Sequence, residues 1–98
     1  MTQHTPPAAA WRPEGPLTLA TVAALRAEAC AQVRNGAAVD LSAVSATDSA
    51  ALALLLELCR VARARGAALS IAGMPAALHS LAELYDLTDL LADAATLQ

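Results

Sequence analysis

The chain of 98 residues has no phenylalanine, one tryptophan, one tyrosine and two cysteines. Each shortage excludes a class of function. A platform for single-stranded nucleic acid needs several aromatics along a basic groove. Here Trp11 and Tyr85 are the only aromatics, and the formal charge of −3 has the wrong sign for a phosphate backbone. No nucleic-acid partner is expected. Cys30 and Cys59 are two isolated thiols, too few for a disulfide framework or a metal knuckle. They read as reduced thiols packed like small apolar groups. Gly15, Gly36, Gly66 and Gly73 stand singly, so there is no glycine-rich loop to cradle phosphate.

Long apolar runs are missing too. "ALALLLEL" is stopped by Glu57 and followed by Arg60, Arg63 and Arg65, well short of the ~20 apolar residues of a membrane span. The opening "MTQHTPPAAAWRPEG" lacks a basic stretch leading into an apolar core, so no secretory signal is expected. Any role at a membrane then comes through a partner. The histidines are His4, in a loose end, and His79, beside Ser80 and near Glu83. General acid–base work needs a partner group and a pocket, and neither is visible. No serine lies in a nucleophile elbow, and no cluster has metal-ligand spacing. No catalytic residue, metal, cofactor or small-molecule substrate is expected. A small hydrolase or transferase built on His79 is the enzymatic alternative, and it lacks a constellation.

What is present is a core. Apolar residues make up 57% of the chain, mostly Ala and Leu, enough for one compact domain. Residues 1–7 read as a flexible N-terminus and 8–94 as one domain. Ala8 to Arg12 reads as a short strand with Trp11 packing inward, and Leu17 and Leu19 as part of a second. Thr21 is a plausible N-cap for a first helix, whose Val22, Leu25, Ala29 and Val33 share one face. Asn35-Gly36 stops it. Ala37 to Leu41 is a strand without polar alternation apart from Asp40, which suits cover on both faces. "SAVSAT" reads as a loop. The second helix runs from about Ser49 to Arg65 and stops at Gly66. Ala68 to Ala72 is the next strand. The third helix covers about Pro75 to Asp86, with Leu78, Leu81, Ala82 and Tyr85 on one face, and "LTDLLAD" forms a last turn. Strands separated by helices favour parallel pairing through crossovers. The expected fold is α/β: a small mixed or parallel sheet with helices packed mainly on one face.

The junction before the second helix is the informative place. Asp48 is well placed to cap it, and the helix dipole favours a carboxylate there. Ser49 follows in the first turn, within reach of solvent or a partner. A phosphate on Ser49 would meet the positive end of the dipole and the negative Asp48 at once. The helix also carries two apolar stripes. Leu52, Leu55, Leu56, Cys59 and Ala62 mark the core face, and Leu54, Leu58 and Val61 mark another, where a solvated face would be polar. Either a neighbouring helix covers that second stripe or it is a docking surface for another protein.

"VDLSAVSATDSAALALLLEL" and "RGAALSIAGMPAALHSLAELYDLTDLL" resemble the STAS domain family, named for sulfate transporters and anti-sigma factor antagonists. The likeness spans about Leu17 to Leu91. It rests on a strand ending in D-L-S and on a D-S that opens a Leu-rich helix. The ending "LAELYDL" is most like the small cytoplasmic STAS subunit of the bacterial Mla phospholipid ABC transporter. The resemblance implies a non-enzymatic module that binds the transporter's ATPase subunit and supports its assembly and activity. It would be cytoplasmic and peripheral to the inner membrane through that partner. The positions so implied for partner binding are Thr47, Asp48, Ser49 and Ala50, to which the second stripe adds Leu54 and Leu58. The alternative within the family is an anti-sigma factor antagonist switched by phosphorylation, here at Ser49. Antagonists commonly read D-S-S-G and carry the phosphate on the second serine. This chain has Ala50 in that place and Ala51 where the family has glycine.

Overall fold

The computed structural model describes residues 10–87 and 95–97. In chain order the elements are β1 (Gly15–Leu17), α1 (Leu19–Arg34), β2 (Val39–Asp40), β3 (Val44–Thr47), α2 (Ser49–Ala64), β4 (Ser70–Ala72), α3 (Ala76–Leu84) and β5 (Ala95–Leu97). Among the described residues every strand pairing is parallel: β1 with β3, β2 with β4, and β4 with β5. Parallel neighbours cannot be joined by a hairpin and need a crossover. The helices supply it, α1 between β1 and β3, α2 between β2 and β4, and α3 between β4 and β5.

Three expectations about strands are corrected. "SAVSAT" is not all loop, because Val44–Thr47 forms β3 and pairs with β1. Leu19 is not a strand residue but the first residue of α1. The Ala37–Leu41 segment is not covered on both faces. Ala37, Val39 and Leu41 are buried while Ala38 and Asp40 are half-buried, the alternation of a sheet sealed mainly on one side. β4 repeats it, with Leu69 and Ile71 buried and Ser70 and Ala72 half-buried. Trp11 does pack inward and is bridged to Val39; its amide donates to the Ala38 carbonyl at 2.8 Å, and its carbonyl accepts from Asp40 at 2.9 Å. β5 falls beyond residue 94, so the sheet extends past the boundary read from sequence. The loose end at 1–7, residues 8 and 9 of the first strand, and Thr88 to Asp93 of the last turn lie outside the described residues.

α2 is the middle helix, packed against α1 on one side and α3 on the other. A helix in that place must be apolar toward the sheet and toward both flanks, which explains two stripes instead of one. Leu54 and Leu58 are sealed, at 2% and 0% exposure, alongside Ala51, Leu52, Leu55 and Ala62. Leu56, Cys59 and Val61 are half-buried and pack against the core. The second stripe is therefore covered by neighbours, and Leu54 and Leu58 are withdrawn from the accessible surface. Tyr85, assigned from spacing to the core face of α3, is instead 55% exposed. The helix ends at Leu84, and Tyr85 is already its C-cap.

All three helices among the described residues end the same way. The amide two residues past the C-cap reaches back across the last turn, Ala37 to Gln32, Ala67 to Ala62 and Leu87 to Ala82, at 2.8–3.0 Å. The residue before it takes positive φ, at Gly36, Gly66 and Asp86. This is the Schellman stop, with aspartate in the glycine position of α3.

Two measurements check this packing. Leu58→Ala costs about 2–5 kcal/mol in urea unfolding, as expected of a leucine with no exposed surface; a loss near zero would place the stripe outside the core. Gly73 (φ +69) lies so close to β2's exit that a Cβ would sit 2.8 Å from the Ser42 amide nitrogen, whereas one on Gly15 (φ +81) would meet nothing within 4 Å. Gly15→Ala therefore costs about 1–2 kcal/mol for the left-handed backbone alone. Gly73→Ala costs about 1–3 kcal/mol more through overlap. Equal losses would show that the Gly73–Ser42 contact is loose.

Candidate functional site

The C-terminal ends of the parallel strands and the N-termini of the helices meet at one end of the domain. In open α/β sheets that is the end where recognition groups collect. Two polar turns shape it here.

The first is the D-L-S segment. Asp40 Oδ1 accepts from the Ser42 amide at 2.9 Å, a side-chain turn that carries the chain out of β2. The Leu41 carbonyl then accepts from Val44 at 3.1 Å and starts β3. The Ser42 amide and hydroxyl, and then Arg12, whose Nε lies 3.4 Å from Oδ2, hold the Asp40 carboxyl below the usual carboxylate range. This part of the motif is a local turn that leads β2 into β3 alongside the same neighbouring segment, with Gly73 close against it.

The second turn is the D-S junction. Asp48 has extended backbone and caps α2 as expected, its Oδ1 accepting from the Ala50 amide at 2.8 Å. Its other oxygen does something the sequence did not announce: Oδ2 accepts from the Leu19 amide at 3.0 Å. Leu19 opens α1. One carboxylate thus binds the positive ends of two helices and satisfies an orphan amide in each. The Leu19 amide, followed by those of Ala50 and Ala51, pulls the Asp48 carboxyl below its ordinary range.

α1 begins earlier than expected. Its N-cap is Thr18, not Thr21. Thr21 is the third helical residue, and its Oγ1 accepts from the Thr18 amide at 2.9 Å, the returning arm of a capping box. The Thr18-x-x-Thr21 spacing was the available signal. The shift matters at the surface, since it turns Leu19 outward at 78% exposure, the most exposed large apolar side chain among the described residues.

The assigned positions fall into two groups. Thr47, Asp48 and Ala50 are half-buried and Ser49 is exposed. These four lie together at the start of α2, with Leu19 attached through Asp48. Leu54 and Leu58 belong to the core and do not join them. Ala51, where the resemblance implies a glycine, is fully buried, so its methyl fills core space. The thiols stand apart: Cys30 is buried and Cys59 half-buried, and burial pushes both above the usual thiol range, toward the unreactive protonated form. His79 is exposed on α3, and His4 lies outside the described residues. Among the described residues no three His, Cys, Asp or Glu group as metal ligands, and no helix is long and apolar enough to cross a membrane. A cleft of about 150 Å³ opens at the opposite end of the domain, beside Val33, Gly36, Ala62 and Arg65. It has no part in this site.

The bridge has a pH signature. A carboxyl whose pKa is lowered by folding contributes stability that is complete above the unfolded pKa and is lost as pH falls through the folded value. Taking the protein from about pH 6 to about pH 3 lowers Tm, and the fall is smaller in Asp48→Asn, which has no group to titrate there. At neutral pH, Asp48→Ala lowers Tm more than Ser49→Ala. Thermal unfolding followed by circular dichroism reads both comparisons. Identical acid sensitivity in Asp48→Asn and the parent would mean that the carboxylate is not holding the two helices.

Comparison with known proteins agrees with this architecture. A search of curated proteins finds no match. Among solved structures the chain is similar to the anti-sigma factor antagonist SpoIIAA in its unphosphorylated form. The TM-score is 0.58 with 16% sequence identity, over 82% of this chain and 84% of that one, a likeness of fold. The family profile described as "Mlab, STAS domain" matches residues 2–92. With parallel strands, crossover helices and a D-S junction heading the central helix, the chain belongs to the STAS domain family.

Proposed function

We propose that this chain is the STAS subunit of a bacterial phospholipid ABC transporter of the Mla type, the system that maintains outer-membrane lipid asymmetry. It binds the transporter's ATPase subunit and supports assembly and activity without catalysing a reaction itself. STAS domains in general mediate protein–protein interactions, and the family description carries the Mlab name over residues 2–92. The observation that carries the docking site is the pairing of exposed Ser49 with exposed Leu19 across the Asp48 bridge. A hydroxyl and an apolar side chain are held on two helix starts that cannot move independently, so little ordering entropy is lost on binding. The partner surface consists of Leu19, Thr47, Asp48, Ser49 and Ala50, while Leu54 and Leu58 support it from the core. The subunit works in the cytoplasm and reaches the inner membrane only through the ATPase.

A second reading, an anti-sigma factor antagonist, is favoured by the likeness to SpoIIAA and by the exposed Ser49 hydroxyl. Ala50 removes the serine that usually carries the phosphate, so the modification would have to fall on Ser49. Intact-mass spectrometry after incubation with a cognate anti-sigma kinase distinguishes the two. An unmodified chain supports the transporter reading, and stoichiometric phosphate on Ser49 overturns it.

Binding to the ATPase is measured by titration calorimetry with the purified subunits. Ser49→Asp and Leu19→Asp each weaken it by about tenfold or more, because a carboxylate is desolvated at the interface. Neither variant unfolds, since both positions are exposed and acid is favourable in the first turn of a helix. Unchanged affinity in both variants would remove this end of the domain from the interface.

A further inference from the structure

We draw no further inference here: the strongest candidate, the exposed apolar pair Leu84 and Tyr85 at the C-terminal end of α3 beside the left-handed turn at Asp86, carries nothing because nothing in the structure shows what covers it.

Discussion

One carboxylate decides how the two largest helices begin. Asp48 gives one oxygen to α2 and the other to α1, so the starts of two crossover helices share a single anion. Each has unsatisfied amides and a positive dipole end, and bringing two such ends together without a counter-charge would be unfavourable. The aspartate removes that repulsion and fixes the spacing. Lower down the same helices, Arg26 makes a two-pronged ion pair with Glu57 across α1 and α2. The pair is tied at its head and along its length, while the leucines of α2 fill the space beneath.

Function follows from what this arrangement leaves outside. Among the described residues most of the large apolar side chains lie in the core or pack against it, and the polar groups of the D-L-S turn are used in redirecting the chain. What remains at the head of the helices is a small surface, exposed Ser49 and Leu19 flanked by half-buried Thr47, Asp48 and Ala50, on a frame fixed by the hydrogen bonds of Asp48. Such a surface suits a module that is recognised by a partner.

Much of this was legible in the residues. The Asn35-Gly36 and Gly66 stops, the Asp48 cap and the helical span of "SAALALLLELC" are local signals, and local physics enforces them. The misplaced parts depend on distant partners. β3 is four residues long and exists because β1 lies beside it, so "SAVSAT" taken alone shows no strand period. Leu54 and Leu58 fit a docking face or a covered one equally well until α2 is known to be the middle helix. The bond from Asp48 to Leu19 spans 29 positions, and no spacing rule anticipates it. Thr18 is a different case. Its capping partner three residues on is readable, and with Thr21 as the cap Leu19 falls in a strand, which hides the most exposed leucine among the described residues.

The proposed docking surface is tested most directly by hydrogen–deuterium exchange on the chain, free and with the proposed ABC ATPase partner bound. Added protection at residues 47–53 and 19–23 together, as one linked surface, is the result expected if the helix starts form the interface. Protection confined to other elements, or to one of these two segments without the other, would contradict it.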